Sequence, residues 1–216
     1  MASMNFDRNI FVNCPFDKDY LSLLKPLIFT IVYLDFIPRI ALENSDSGKP
    51  RLEKLIELIG ESKYSIHDLS RLQSKKANEF YRLNMPFELG LDYGARKFNT
   101  DLNDKGFLIL ETKQFDYMKA ISDINGLDIK NHNNDPETLI ESVRAWFIET
   151  VGLRNIASPL KIWYDFADFN TNLFEKKFAT YYGEHDEHTA EKMAKSEIEK
   201  MPLPQYIDEI RETLTV

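Results

Sequence analysis

Glu88 is the side chain best placed to do chemistry in this sequence, and it lies in the segment Met-Pro-Phe-Glu-Leu-Gly, from Met85 to Gly90. Met85 precedes a proline and is therefore biased away from helical dihedral angles, whereas Pro86 suits the first position of a helix. This pattern predicts that Glu88 lies in the first helical turn, where free backbone amides and the helix dipole stabilise a negative charge by about 0.3–1 kcal/mol. An ionised glutamate there can stabilise or attack a cationic sugar. The simpler interpretation is that Glu88 only caps its own helix.

A second carboxylate, Asp68, lies near the end of the predicted strand that precedes this helix and is followed by Leu-Ser-Arg. Asp68 can orient Glu88 or bind a sugar hydroxyl, and the alternative is an ordinary turn at a strand end. Ser70 and Arg71 can hold a phosphate, because an arginine binds anions with two hydrogen bonds. A solvated loop charge is the alternative for Arg71. Further positive charges follow in the same connection, at Lys75, Lys76 and Arg82.

The elements that must position these residues alternate between strand and helix. Short apolar runs predict five strands, at Asn9–Asn13, Phe36–Leu42, Tyr64–Leu69, Gly106–Leu110 and Leu127–Lys130. Apolar residues at helical spacing predict helices at residues 17–34, 50–61, 86–97, 115–124 and 136–150, the last of them closed by Gly152. This alternation predicts an α/β fold with a doubly wound, mainly parallel five-stranded sheet and right-handed crossovers.

The composition changes near Ser158, and this change predicts a domain of residues 1–157 followed by a helical appendage of residues 158–216. Ser158-Pro159 is a good helix start, and an aromatic-rich stretch follows it. Further helices are predicted at residues 189–200 and 206–214. We expect this appendage to pack on the sheet or on a second subunit, which makes a homo-oligomer the expected assembly.

Ligands of open parallel sheets bind outside the carboxyl ends of the strands. Two loops therefore supply candidate substrate-binding residues, which are Asn13, Cys14, Phe16 and Asp17 after the first strand and Ser70 and Arg71 after the third. Glu88 and Asp68 face the same edge as candidate catalytic residues. Asp92, one turn beyond Glu88, is a further candidate for substrate binding, although a salt-bridged helix face is its default explanation. Cys14 has no identifiable histidine partner, so a nucleophilic role for its thiol is disfavoured.

Composition excludes several classes of function. The formal net charge of −8 argues against charge-driven binding to nucleic acid or to acidic membranes. Cys14 is the one cysteine, which excludes an intrachain disulfide and fits a reducing cytoplasm. Charged residues interrupt the N-terminus, so no signal peptide is expected, and the apolar run Pro26–Leu34 is too short to cross a bilayer.

Two kinds of site are also disfavoured by the motifs. No glycine-rich phosphate-binding loop follows the first strand, which argues against a P-loop NTPase and against a dinucleotide-binding Rossmann site. His185 and His188 do not have the four-residue spacing of zinc-protease helices, so no metal site is expected there. His67 lies within a strand, where a buried and hydrogen-bonded histidine is the expected role.

Three segments carry a resemblance to known families. Asn-Ile-Phe-Val-Asn-Cys-Pro-Phe-Asp-Lys-Asp-Tyr, from Asn9 to Tyr20, resembles the opening of TIR domains, and the stretch Gly48–Ser70 is also TIR-like. Met85–Lys97 is similar both to the TIR segment with the catalytic glutamate and to the Glu-Leu-Gly segment of nucleoside 2-deoxyribosyltransferases. The resemblance covers roughly the first two-thirds of the chain. Arg82-Leu83-Asn84 replaces the glycine-threonine usual in the deoxyribosyltransferases, and the tryptophan frequent before the TIR glutamate is absent.

The resemblance implies a flavodoxin-like core and chemistry at an N-glycosidic bond. Glu88 would match the catalytic glutamate, Asp68 an acidic position at the end of the third strand, and residues 13–17 a cradle for the base or ribose. The implied activity is that of a cytoplasmic nucleoside or nucleotide N-glycosidase or base transferase, with NAD as one candidate substrate and no cofactor. A nucleotide-sensing or self-assembling TIR-like module without catalysis is the alternative.

Overall fold

The computed structural model describes residues 5–43, 45–72 and 83–215. The chain divides into two compact units, Met1–Ile156 and Ala157–Val216, and this division lies directly beside the boundary predicted at Ser158. None of the helices in the described ranges is long and apolar enough to cross a membrane.

The first unit is built on one sheet of five parallel strands in the order β2-β1-β3-β4-β5. The strands are β1 (Asn9–Asn13), β2 (Ile37–Arg39), β3 (Tyr64–Asp68), β4 (Gly106–Glu111) and β5 (Ile129–Asn131). From β1 the chain adds β2 on one side and then crosses to add β3 on the other. This order is that of the flavodoxin-like fold, so the predicted fold class is confirmed.

In the ranges that the structure describes, four helices and a series of short turns connect these strands. The helices are α1 (Leu21–Tyr33), α2 (Arg51–Gly60), α3 (Asn84–Phe98) and α4 (Pro136–Trp146). Single 3-10 turns occupy Phe6–Arg8, Lys18–Tyr20, Ala41–Glu43, Thr100–Leu102, Asp116–Lys119 and Ser122–Ile124, and a π-helical turn, Phe147–Val151, extends α4. All five residues of β1 are buried, as expected for a central strand that is covered on both faces.

The edge strand β2 is shorter than predicted because local side-chain contacts turn the chain after Arg39. The Glu43 carboxylate accepts hydrogen bonds from the Arg39 guanidinium at 3.0 Å and from the Ile40 amide at 3.2 Å. These bonds fold Ala41–Glu43 into a 3-10 turn. Pro38 is consistent with the edge position, since a proline removes one hydrogen-bond donor from a strand.

The predicted helix at residues 115–124 is wrong, because the backbone leaves helical dihedral angles at Phe115 and again at Ile121, where φ is −138° and ψ is 69°. Glu111, at the end of β4, accepts hydrogen bonds from the backbone amides of Phe115 at 2.6 Å and of Tyr117 at 3.0 Å. Phe115 adopts a left-handed conformation with φ of 66°, which a helix does not allow. Two separate 3-10 turns form instead.

The second unit consists of three helices, α5 (Pro159–Tyr182), α6 (Glu187–Lys200) and α7 (Leu203–Leu214). Ser158 caps α5 as predicted, and its hydroxyl accepts from the Lys161 amide at 3.2 Å. The Lys177 ammonium lies 2.8 Å from Glu197 of α6 and 3.1 Å from Glu209 of α7. This lysine therefore links all three helices through charge pairs.

Two glycines provide a matched test of the backbone. Gly152 ends the segment after α4 with φ of 89°, whereas Gly90 lies inside α3 and a Cβ there would meet no neighbouring atom within 4 Å. We expect Gly152→Ala to lower the free energy of unfolding by about 1–2 kcal/mol, because alanine is strained in that conformation. Gly90→Ala should raise it by about 0.5–1 kcal/mol. Urea denaturation measures both changes, and two shifts of the same sign would contradict the assigned backbone conformations.

Candidate functional site

A cavity of about 570 Å³ lies at the carboxyl edge of the sheet. It is lined by Asn13, Cys14, Pro15, Phe16, Arg51, Leu83, Asn84, Met85 and Glu88. These residues come from the end of β1 and its following loop, the start of α2 and the start of α3. The position is the point where the chain reverses its direction of strand addition, which is where open α/β sheets bind ligands. Four of the predicted site residues, Asn13, Cys14, Phe16 and Glu88, therefore share one cavity.

Glu88 lies deeper in its helix than the sequence predicts. Helix α3 begins at Asn84, and the Phe87 amide already donates to the Leu83 carbonyl at 3.1 Å. Pro86 therefore occupies the third helical position, which also needs no donor, and Glu88 falls in the second turn. The first turn contains no acidic residue, so stabilisation of the Glu88 charge by free helix amides was a wrong prediction.

The surroundings of Glu88 disfavour its charge instead. Its side chain is 5% exposed, and burial raises the pKa of the Glu88 carboxyl above its ordinary value. The Arg51 guanidinium, 3.5 Å from Oε1, and His67 lower the pKa by smaller amounts. Glu88 is thus a cavity carboxyl that takes up a proton at a higher pH than an exposed glutamate.

Cys14 also lines the cavity, and its thiol is neutral. Burial raises the pKa of the Cys14 thiol well above its ordinary value, and the negative charges of Asp68, Glu88 and Asp17 raise it further. Since the thiolate is the nucleophilic form, this environment agrees with the sequence-based view that Cys14 is not a nucleophile.

Asp68 is the centre of a buried hydrogen-bond network. It accepts from the Tyr20 hydroxyl at 2.5 Å, from the Ser70 amide at 2.8 Å and from the Ser70 hydroxyl. The Asn134 amide donates to Nδ1 of His132, so the proton of a neutral His132 lies on Nε2. That nitrogen is 3.1 Å from Asp68 Oδ2 and 2.8 Å from the Ser70 hydroxyl. The carboxylate therefore accepts three hydrogen bonds from Tyr20 and Ser70, and the single Nε2 hydrogen of His132 lies between the carboxylate and the Ser70 hydroxyl.

This network gives Asp68 a structural role. Burial alone would raise the pKa of the Asp68 carboxyl, but hydrogen bonds from His132, Ser70 and Tyr20 bring it below its ordinary value. Asp68 is fully buried, and no hydrogen bond joins it to Glu88 in the described part of the chain. A catalytic function for Asp68 stays a prediction. Ser70, a predicted substrate-binding residue, belongs to the same hydrogen-bond network through its amide and hydroxyl.

The other predicted residues lie beside or behind the cavity. Asp17 caps the turn Lys18–Tyr20 and has its Oδ1 3.7 Å from the Arg71 guanidinium, so the charge of Arg71 has a partner. Asp92 is fully buried between His67 and Lys105 and does not line the cavity. The predicted positive charges at Lys75, Lys76 and Arg82 lie outside the described residues.

Sequence reasoning missed several residues of the site, for two different reasons. Arg51 and His132 come shortly after β2 and β5, so the rule of carboxyl strand ends could have selected them. Lys105 precedes β4 and Tyr20 lies in the turn before α1, and only the tertiary structure brings them to buried partners.

The comparison with known proteins finds no matching family model, no matching curated sequence and no matching solved structure. Among residues 5–43, 45–72 and 83–215, no group of three or more His, Cys, Asp and Glu side chains is arranged to hold a metal ion.

Removing the Asp68 carboxylate should be strongly destabilising. Asp68→Ala leaves the Tyr20 hydroxyl and His132 without their buried acceptor, and we expect a loss of about 3–5 kcal/mol in the free energy of unfolding at neutral pH. Folding lowers the pKa of the Asp68 carboxyl. The stabilisation that its ionised form provides is therefore complete above the unfolded-state pKa of about 3.9, and it is lost as the pH falls through the folded-state pKa.

Urea titrations at several pH values measure this difference, with the exposed Asp128→Ala as the control for loss of one carboxylate. The gap between wild type and Asp68→Ala should narrow below about pH 4. A loss below about 1 kcal/mol at neutral pH would contradict the network.

Proposed function

We propose that this chain is an N-glycosidase or base transferase of the TIR-like and deoxyribosyltransferase-like type, and that Glu88 acts on the sugar of a nucleoside or nucleotide. The observation that carries the proposal is a buried carboxyl lining a cavity of about 570 Å³ at the switch point of a flavodoxin-like sheet. The sequence resemblance around Glu88 supports the same chemistry. NAD is one candidate substrate.

The proposed chemistry needs one carboxylate near the anomeric carbon. As the bond between that carbon and the base nitrogen breaks, positive charge develops on the sugar, and the bonding electrons leave with the base. The Glu88 carboxylate either stabilises this cation or forms a covalent bond to it. Attack by water then completes hydrolysis, and attack by a second base completes transfer. A carboxylate of raised pKa suits this role because its desolvated charge interacts more strongly with a cation.

Arg51 adds a second function to the cavity. Its side chain is 53% exposed and lines the cavity beside Glu88, so part of the guanidinium is accessible from solvent. We propose that this part binds an anionic group of the substrate, such as the phosphate of a nucleotide. Its charge also keeps the pKa of Glu88 lower than burial alone would allow.

Glu88→Gln tests the catalytic assignment. We expect turnover of NAD and of a nucleoside panel to fall by at least about 100-fold, because the amide cannot stabilise a cation through charge. The free energy of unfolding at neutral pH should stay within about 1 kcal/mol of wild type or rise, since burial of an ionised carboxyl is unfavourable.

Chromatographic assay of the released base and urea denaturation measure the two effects. The exposed Glu141→Gln is the control, because it makes the same chemical change outside the cavity. Equal turnover by wild type and Glu88→Gln, above background, would exclude Glu88 as the catalytic residue. Tight nucleotide binding without turnover would favour the sensing module.

Arg51→Gln tests the electrostatics of the cavity. Without the guanidinium, the pKa of Glu88 should rise further, so the acid limb of the pH–rate profile should move to higher pH. Arg51→Lys, which keeps the charge, should move the limb less, and the exposed Arg154→Gln should leave it unchanged. An unchanged limb in Arg51→Gln would show that ionisation of Glu88 does not control the reaction.

A further inference from the structure

A chain of buried polar groups runs behind the cavity from the Met85 carbonyl to the Lys105 ammonium. Asn13 Nδ2 lies 2.9 Å from the Met85 carbonyl oxygen and 3.1 Å from Nδ1 of His67. His67 Nε2 lies 3.1 Å from Asp92 Oδ2, and Lys105 Nζ lies 3.2 Å from Asp92 Oδ1. All four side chains are buried, so these groups must satisfy one another without bulk water.

The direction of each hydrogen bond in this chain follows from the carbonyl at its end. A carbonyl oxygen only accepts, so the Asn13 group that faces Met85 is the NH₂ group. The same nitrogen also faces Nδ1 of His67, which must therefore be unprotonated and accept. The proton of the neutral imidazole then lies on Nε2, where the Asp92 carboxylate accepts it.

Asn13 consequently offers the cavity only an acceptor. Both hydrogens of its amide are engaged, one by the Met85 carbonyl and one by His67. Its Oδ1 accepts no hydrogen bond from the part of the chain that the structure describes, and the residue lines the cavity. A ligand group without a hydrogen to donate would face this oxygen unfavourably, and a hydroxyl would be bound.

We propose that Asn13 is a specificity-determining residue, because its Oδ1 accepts a hydrogen bond from a hydroxyl of the ligand sugar. In this proposal three positioning residues hold the Asn13 amide in its orientation: His67, Asp92 and Lys105. The choice of a sugar hydroxyl rests on the proposed function. The orientation of the amide rests on the geometry alone.

Lys105 matters because it holds the carboxylate that faces His67. The Lys105 ammonium lies 3.2 Å from Asp92 Oδ1 and is itself held by the carbonyls of Ile59 at 2.7 Å and Ser62 at 2.5 Å. Asp92 Oδ2 is thereby kept beside Nε2 of His67, and Nδ1 is left to accept from the Asn13 NH₂ group.

Nitrogen-15 NMR of the full chain labelled at histidine tests the orientation without any ligand. The chain has four histidines, of which His185 and His188 are exposed and His67 and His132 are buried. We expect Nδ1 of His67 to be unprotonated, with the proton of the neutral ring on Nε2. A proton on Nδ1 of His67 in the wild-type protein would overturn the proposal.

Lys105→Met is the variant that tests the positioning role, because methionine is similar in shape and carries no charge. The Nε2-protonated tautomer of His67 should lose part of its population because Asp92 is no longer held in place, while the tautomer of His132, which belongs to the Asp68 network, should not change. Lys63→Met, which removes a lysine from a surface pair with Asp104, should leave the His67 tautomer unchanged. An unchanged His67 tautomer in folded Lys105→Met would contradict the role of Lys105. Should that variant not fold, the wild-type spectrum still decides the orientation.

Binding of adenosine and its 2′-deoxy and 3′-deoxy analogues tests the specificity. We expect wild type to bind adenosine on the order of tenfold more tightly than one of the analogues, and Asn13→Ala to bind all three alike. Equal wild-type affinities, or no binding of any of the three, would overturn the assigned ligand group. If the protein distinguishes adenosine from its analogues but cleaves none of them, only the proposed function is contradicted. If it cleaves them but binds all three equally, only the proposed role of Asn13 is contradicted.

Discussion

The constraint on which the site depends is that polar and ionised groups buried at the carboxyl edge of the sheet must satisfy one another. Two networks of buried polar side chains form in response to this constraint. One surrounds Asp68 with donors from Tyr20, Ser70 and His132. The other connects Asn13 of β1, His67 of β3 and Asp92 of α3 to Lys105, just before β4. Because each network joins several elements, the shape of the cavity depends on contacts that lie behind its surface.

Three carboxyl groups of this region, those of Asp68, Asp92 and Glu88, differ in their pKa because their surroundings differ. Burial disfavours the charge of each, but hydrogen bonds and positive charges bring the pKa of Asp68 and Asp92 below ordinary values. For Glu88, the Arg51 guanidinium at 3.5 Å is too weak a compensation, and the pKa stays raised. A division between buried carboxylates of lowered pKa and one carboxyl of raised pKa in a cavity is typical of sites that do acid, base or nucleophilic chemistry. It is this contrast, more than burial alone, that separates Glu88 from its neighbours.

Much of the fold could be predicted because its signals are local. The strand β1 has the predicted bounds, and the division near Ser158 agrees with the change in composition. Errors arose where the backbone departs from the local pattern. Phe115 and Ile121 leave helical dihedral angles and divide the segment after β4 into two turns, and α3 starts at Asn84, ahead of the proline that was expected to begin it.

The sequence by itself determined the order of strands and helices, and so placed Asn13 and Glu88 at one edge of a parallel sheet, because alternating apolar patterns and strand ends are properties of short segments. The tertiary structure decided which polar residues face the cavity and which face inward. Asp92 lies one turn beyond Glu88 but binds His67 and Lys105 in the interior, which no local pattern indicates. The physical reason is that a buried charge is stable only beside partners from other elements, and their meeting is a property of the folded chain.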